Sequence, residues 1–405
     1  MLTRNSLAQH KVQLALYACG FMFIFTETLL SPFYPQFFAK VFNLNDAYIT
    51  GEFMAMCRLV VIFSAPLWGV LARYFDPVKL LIVGQVLAAV LTAAIAWVQS
   101  IQEFYVLTVF LLIFKSSYLL FYTLLIDINQ GKQNDPLSKT VGWVQVIMHT
   151  AIVSSTLVSA WVIQVDNPLD LFLYAAIIDV IQVLACIYVL MNRPKPVVKN
   201  KNEDEKPKRQ INMWFVLSLV SIMFCFHLAV NMIRPFFTQF SQIQLNVSEI
   251  QSAVAYLLPS LMVLVAMPFI RKICTPEHIK KVMLTSLLVL IISSVLQFIA
   301  QNYTQLLMAR CVLGMSLIMA MAAIDIFIFK VSDKRNLHFN YSLSIAVQNI
   351  ALFISPITAA GIVSQYSIDM PFVFSAGVYA LCLFITVLTF LNIKKTQHYT
   401  KEVVA

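Results

Sequence analysis

The chain has 405 residues, of which 60% are hydrophobic and only 12% are charged. Soluble domains carry about 25% charged residues, so this composition excludes a soluble globular protein and predicts one embedded in a membrane. The net charge of +9 does not indicate a nucleic-acid partner, because the Lys and Arg residues are concentrated in short segments between apolar runs.

The apolar runs follow one another along nearly the whole chain. A run of about 20 apolar residues is long enough to cross the hydrocarbon core of a bilayer as a helix. We therefore expect an all-α membrane protein with twelve transmembrane helices. The predicted helices cover residues 13–38, 48–72, 80–99, 104–127, 139–163, 169–191, 213–240, 250–270, 281–300, 304–330, 341–365 and 370–392.

The loop charges predict the orientation of these helices. Cytoplasmic loops are enriched in Lys and Arg. When the N-terminus is placed in the cytoplasm, Lys40 is the only Lys or Arg in a loop on the opposite side. Both termini are then cytoplasmic. The first apolar run has no small-residue cleavage site after it, so we expect a retained helix and not a signal peptide.

Two segments 203 residues apart resemble each other. Residues 32–37 read Pro-Phe-Tyr-Pro-Gln-Phe, and residues 235–240 read Pro-Phe-Phe-Thr-Gln-Phe. Further along, Pro66 has a counterpart in Pro268. A duplicated chain is the simplest explanation, and two like-oriented halves of six helices are typical of transporters with a substrate site between the halves.

The one long polar segment lies at the midpoint of the chain. Residues 192–212 combine seven Lys or Arg residues with an acidic trio, which is the composition of a flexible charged linker. The predicted organisation is an N-terminal six-helix half at residues 1–191, a cytoplasmic linker at 192–212 and a C-terminal six-helix half at 213–405, with the two halves around a central cavity.

Three short motifs carry a resemblance to a known family. The loop Gly-Val-Leu-Ala-Arg-Tyr-Phe-Asp-Pro-Val-Lys at 69–79 resembles the signature loop of the major facilitator superfamily, with Arg73 where that loop usually has an acid. Arg310 and Gly314 are similar to its Arg-x-x-x-Gly signature, and Pro32 and Pro35 resemble the Pro-x-x-Pro of its drug-proton antiporter branch. The chain is identified on these motifs as a member of the superfamily.

The resemblance implies which helices surround the substrate. In this superfamily the first, fourth, seventh and tenth helices line the central cavity, helped by the second, fifth, eighth and eleventh. It places the four intramembrane cations on cavity helices, namely Arg58, Lys115, Arg234 and Arg310. Such an excess of cations favours an anionic or zwitterionic solute. Asp179, on the sixth helix, is expected to be peripheral.

Glu27 lies near the middle of the first apolar run. A charge at the bilayer centre costs about 2.5 to 3.5 kcal/mol, so a carboxylate kept there is either paired or used. We predict that Glu27 carries the coupling proton. The structural alternative is that Glu27 neutralises Arg58 or Lys115 and so allows the bundle to assemble.

His149 and His227 are further candidates for proton coupling, because each belongs to a polar stripe on one face of its helix. A buried His is, however, more often satisfied by a neighbour than functional. Asn231 lies on the same face as His227 and is expected to bind substrate.

Tyr118, Tyr122 and Gln348 are also candidate substrate-binding residues, with helix packing as the alternative role for each. Asp127 and Asp325 occupy similar positions at the inner ends of the fourth and tenth helices. Together with Arg73 they are predicted to form salt bridges that gate the inner face.

The sequence contains no phosphate-binding loop, no His-rich metal cluster and no Ser-His-Asp grouping. We therefore expect no enzymatic activity, no cofactor and no metal. The preferred function is a secondary active transporter of a small anionic or zwitterionic solute, such as an organic acid, an amino acid or a carboxylate siderophore, coupled to protons. The alternatives are a proton-driven exporter of drugs or siderophores and, less favoured, a non-transporting sensor or scaffold. The short loops favour a bacterial inner membrane, and we expect a monomer.

Overall fold

The computed structural model describes residues 4–72, 74–118, 120–121, 124, 137–192, 213–274, 277–331 and 337–404. Within these ranges every regular element is a helix, which confirms the predicted all-α class. The α-helices are α1 (Arg4–Thr28), α2 (Tyr34–Phe42), α3 (Ala47–Leu71), α4 (Pro77–Ile95), α5 (Ile101–Lys115), α6 (Leu137–Val162), α7 (Leu171–Asn192), α8 (Met213–Met232), α9 (Phe237–Leu245), α10 (Glu249–Ile273), α11 (Ile279–Phe298), α12 (Tyr303–Val331), α13 (Leu337–Gln365) and α14 (Met370–Val404).

Ten segments of the described chain are long and apolar enough to cross a membrane, and Val146–Val162 is a shorter apolar helix. These segments make the chain an integral, multi-pass membrane protein. The predicted total of twelve spans and the cytoplasmic placement of both termini remain predictions.

Residues with short polar side chains cap the N-termini of several helices. The side chain of Asp46 accepts a hydrogen bond from the backbone nitrogen of Tyr48 at the start of α3, over 2.9 Å. Asp76 does the same at the start of α4, where Pro77 occupies the first turn. Because the first backbone N–H groups of a helix have no partner within it, such caps allow a helix to begin sharply.

The first predicted helix is interrupted. α1 ends at Thr28, a 3-10 turn covers Ser31–Phe33, and α2 continues to Phe42. Pro32 lies in that turn, and a proline has no backbone N–H to continue the helical ladder. The segment Lys11–Phe42 nevertheless remains a single apolar span of 32 residues.

The same interruption occurs in the second half of the chain. α8 ends at Met232, a 3-10 turn covers Arg234–Phe236, and α9 runs over Phe237–Leu245. Both the turn and the helix after it lie 203 residues beyond their counterparts in the first half. The structure therefore confirms the repeat that the sequence predicted.

The chain divides into two compact units. The first contains Met1–Lys201 together with Glu249–Leu257, and the second contains Asn202–Ser248 with Leu258–Ala405. In the first unit α4 packs against α5 and α7, and α1 packs against α6 and α7. In the second unit α11 packs against α12 and α14, and α8 packs against α13 and α14. Equivalent helices thus make equivalent pairs. The domain boundaries predicted from the sequence remain a prediction.

A cluster of aromatic residues forms part of the core of the first unit. Phe38 and Phe104 pack around Phe53, with ring centroids 5.2 Å and 5.3 Å from that of Phe53. On the outside of the helices, large apolar side chains such as Phe63 and Trp161 are exposed. An apolar outer surface is expected of helices that face lipid.

Candidate functional site

A cavity of about 130 Å³ with several polar residues in a mainly apolar lining lies within the first unit, among α1, α3, α4, α5 and α7. A water molecule needs about 10 to 15 Å³ of such space, so the cavity has room for a small solute or a group of waters. Its polar lining includes Thr26, Glu27, Arg58, Thr92 and Lys115. Three of the residues that the sequence analysis selected, Glu27, Arg58 and Lys115, therefore line one cavity.

Glu27 and Arg58 provide opposite charges at this cavity. Both side chains are half-buried, and both act electrostatically on Tyr34, which also lines the cavity. Within the described part of the chain, neither side chain belongs to an ion pair. Glu27 lies in the last turn of α1, where backbone carbonyls without an intrahelical partner favour a nearby cation.

Lys115 is buried and already has an acidic partner. Its ammonium nitrogen lies 3.7 Å from Oδ1 of Asp179 on α7. The same nitrogen donates a hydrogen bond of 2.9 Å to the hydroxyl of Thr26 on α1. The hydroxyl of Thr92 on α4 donates to Oδ2 of Asp179, also over 2.9 Å. These contacts tie four helices of the first unit together through one buried charge pair.

Asp179 is the residue that the sequence analysis missed. Its position on the sixth predicted helix suggested a peripheral place, but its side chain is fully buried and pairs with Lys115. The pairing also bears on the structural alternative for Glu27, because Asp179 and not Glu27 neutralises Lys115. The signal in the sequence was a polar stripe: Asp179, Gln182 and Cys186 follow one another at helical spacing within an apolar helix.

The remaining predicted residues of the first half have mixed placements. Tyr118 stacks on Phe23 with ring centroids 3.5 Å apart, a packing arrangement that belongs to the core of the unit. His149 is half-buried on α6. The predicted residues Arg73, Tyr122 and Asp127 lie outside the described residues.

In the second unit, Arg310 is buried on α12. Its guanidinium carbon lies 4.0 Å from the ring centroid of Phe237, and one of its nitrogens donates to the side-chain oxygen of Gln297 over 3.4 Å. A guanidinium over an aromatic face is a cation–π arrangement. Gln348 on α13 is half-buried, whereas Asp325 on α12 is exposed.

The polar stripe predicted on the seventh helix forms a connected set. His227 is buried, and its backbone carbonyl accepts a hydrogen bond of 2.7 Å from the side-chain amide of Asn231. Arg234, which is exposed in the 3-10 turn after α8, donates to the side-chain oxygen of Asn231 over 3.3 Å. Asn231 therefore links His227 to Arg234 through two hydrogen bonds along one face.

Two units with equivalent helix pairing, built from membrane-spanning helices, define a multi-pass membrane protein of a duplicated transporter type. The model of the Major Facilitator Superfamily matches residues 16–276 and 277–404, and the chain belongs to this family. The members of this family are transporters and not enzymes, so the predicted class is confirmed.

Solved structures of three transporters share the fold. The nucleoside transporter NupG aligns with a TM-score of 0.73 at 12% identity, covering 94% of this chain and 99% of that one. A bacterial homologue of the human lysosomal transporter Spinster aligns with a TM-score of 0.72 at 12% identity, covering 95% of this chain and 96% of the other. The human organic anion transporter MFSD10 gives a TM-score of 0.65 at 13% identity, with coverage of 93% and 99%. No curated protein sequence matches the chain significantly.

Proposed function

We propose that this protein is a secondary active transporter that moves a small anionic or zwitterionic solute across the membrane, coupled to protons through Glu27. The observation that carries the proposal is the pairing pattern at the cavity. Lys115 is neutralised by Asp179, whereas Glu27 and Arg58 line the cavity without an ion-pair partner in the described residues. Two such charges are available to a solute.

The arrangement of these charges matches a zwitterion. Arg58 offers a fork of donors that fits a carboxylate. Glu27 and the carbonyls at the end of α1 favour an ammonium group or a proton. Much of the remaining lining is apolar, including Phe53, Phe104 and Phe172, so an apolar part of the solute has a place to bind.

The proposal includes residues of the second unit. Arg234, Arg310, Asn231 and Gln348 are its candidate substrate-binding residues, and His227 is an alternative proton carrier, as His149 is in the first unit. Asp325 is assigned to gating. Stacking on Phe237 orients the guanidinium group of Arg310. MFSD10 is an organic anion transporter, which is consistent with an anionic solute, whereas NupG transports nucleosides.

A proton-driven exporter of drugs or siderophores is the second candidate. The aromatic lining of the cavity favours it, because apolar and cationic drugs bind to aromatic walls. The two candidates differ in the role of Arg58, which binds solute in the first and is not needed in the second. We propose a monomer in a bacterial inner membrane for either function.

Transport by the purified full chain in proteoliposomes tests the proposal. The probes are radiolabelled L-leucine, L-glutamate, lactate and citrate, with an imposed pH gradient, and ethidium efflux serves as the exporter assay. We expect pH-driven uptake of at least one probe, a loss of pH-driven accumulation in Glu27→Gln, and a roughly 10- to 100-fold weaker affinity in Arg58→Gln, the range for hydrogen bonds to charged groups.

Glu52→Gln is the matched control for Glu27→Gln, because Glu52 is an exposed carboxylate on α3. Normal proton coupling in Glu27→Gln would show that Glu27 does not carry the coupling proton. Ethidium efflux without uptake of any of the four solutes would favour the exporter instead.

A further inference from the structure

The buried pair of Lys115 and Asp179 has an asymmetric position at the cavity. Lys115 and Thr92 line the cavity, whereas Asp179 lies behind them and does not. Asp179 contacts Lys115 through Oδ1 and Thr92 through Oδ2. A solute in the cavity therefore reaches Lys115 directly, and it affects Asp179 only through that lysine and that threonine.

Lys115 is held loosely by its acidic partner. A charge-assisted hydrogen bond between an ammonium and a carboxylate is typically about 2.7 to 2.9 Å long. The separation from Oδ1 of Asp179 is 3.7 Å, and this oxygen is buried without a hydrogen bond in the described structure. The shorter contact of Lys115 is with the hydroxyl of Thr26, a neutral group that also faces the cavity. An incoming carboxylate competes well with such a partner.

The helices packed around α7 offer no replacement for Lys115. In the part of α1 near the cavity and near Asp179, the titratable side chains are those of Cys19 and Glu27. Neither of them is a cation. The only charged residue of α4 is Lys79, which is exposed in its first turn. The 3-10 turn before α7 carries the acid Asp170.

One further charge and the polar residues of α7 complete the surroundings of Asp179. Arg58 on α3 lines the cavity, and it forms no ion pair with Asp179. On α7 itself the buried polar residues that follow Asp179 are Gln182 and Cys186, and the sulfur of Cys186 lies 3.8 Å from that of Cys19. When Lys115 leaves, Asp179 therefore has no cation within ion-pair distance among the described residues.

We infer that Asp179 is a second proton-binding carboxylate, which takes up a proton when a solute carboxylate in the cavity draws Lys115 away. The inference rests on the proposed transport of an anionic or zwitterionic solute. A buried carboxylate without a partner is costly, and it is relieved by becoming neutral.

The step is balanced in charge. The solute carboxylate brings one negative charge to Lys115, and one proton from the water of the cavity or the adjoining solution binds Oδ1 of Asp179. Release of the solute returns Lys115 to Asp179 and expels the proton. Thr92 stays bonded to Oδ2 throughout and keeps the carboxyl group in place.

An infrared experiment tests the protonation without a solute. In the full chain with Lys115→Met, Asp179 has lost its cation, and we expect a C=O stretch of a protonated carboxylic acid at neutral pH. The parent protein and the double variant Lys115→Met/Asp179→Asn serve as references, and neither has this band. Absence of the band from Lys115→Met would overturn the inference, whatever the transported solute is.

The ratio of protons to solute in proteoliposomes tests the coupling. For a probe among L-leucine, L-glutamate, lactate and citrate that the parent transports, we expect Asp179→Asn to retain solute exchange and to move one proton fewer per solute. The exposed Asp166→Asn is the matched control and keeps the parent ratio. An unchanged ratio of protons to solute in Asp179→Asn would overturn the inference and would leave the proposed function intact.

The two proposals fail in different ways. Uptake of none of the four probes overturns the proposed solute class, and the infrared band still decides whether Asp179 takes up a proton when Lys115 is gone. Should Asp179→Asn fold poorly, the infrared band of Lys115→Met decides the inference by itself, because that measurement requires no transport.

Discussion

Asn43 and Asn246 adopt the same left-handed backbone conformation, with φ of 57° and 50°, although they lie 203 residues apart. Each ends a nine-residue helix that follows a proline-containing 3-10 turn. They are the only residues other than glycine with a positive φ in the described structure. Because asparagine tolerates this conformation better than other residues with a Cβ, the duplicated turn is preserved in its backbone as well as in its sequence.

The left-handed cap at Asn43 makes a prediction about stability. Asn43→Gly should preserve thermal stability in detergent, since glycine adopts this conformation freely. Asn43→Val should cost about 1 to 2 kcal/mol, because a β-branched side chain clashes there with the backbone. Asn45→Val, at an exposed position two residues on, is the control. Equal melting temperatures for the two valine variants would contradict this reading of the cap.

Close packing at Gly314 makes a second prediction. A Cβ at this position would lie 2.6 Å from Cα of Pro259 on α10, which is shorter than a van der Waals contact. Gly314→Ala should therefore push α12 away from α10 and lower the melting temperature of the purified protein. At Gly377, a glycine of the same unit, a Cβ would meet nothing within 4 Å. Gly377→Ala should be as stable as the parent, and an equal loss in both variants would refute the packing argument.

The buried pair predicts a non-additive effect on folding. Lys115→Met leaves Asp179 buried without its cation, and losing one member of a buried pair typically costs about 3 to 5 kcal/mol. Lys115→Met/Asp179→Asn removes both charges and should recover most of this loss. Thermal unfolding of the parent, Lys115→Met, Asp179→Asn and the double variant measures the coupling. Additive losses would mean that the two side chains do not interact in the folded protein.

The two cysteines between α1 and α7 provide a test of helix packing. The sulfur atoms of Cys19 and Cys186 lie 3.8 Å apart, and both side chains are buried. A membrane-permeant oxidant should therefore join them in a disulfide, detected as a linked pair of peptides by mass spectrometry. The crosslink should be absent from Cys186→Ser. Failure to crosslink in the parent under complete oxidation of the other thiols would place α1 and α7 further apart.

Much of the fold was predictable from the sequence, because membrane helices follow local rules. A chain in lipid must satisfy its backbone hydrogen bonds within each segment, so the length of an apolar run specifies a helix without reference to its neighbours. The repeat was visible as well, in Pro32 and its counterpart Pro235. The interruption after Thr28 was the exception: the hydropathy of residues 13–38 is continuous, and the break depends on how the backbone accommodates Pro32.

The candidate site was predictable only in part. Glu27, Arg58 and Lys115 could be recognised as charges inside the membrane because each lies within a long apolar run that must cross it. Their partners could be found only from the packed helices. Whether Lys115 meets Glu27 or Asp179 depends on how α1, α4, α5 and α7 are rotated and packed, and these helices are distant in sequence. Hydropathy predicts only that a residue lies inside the membrane. An ion pair requires two charged groups within a few ångströms of each other, and that distance is set by the packing of the helices.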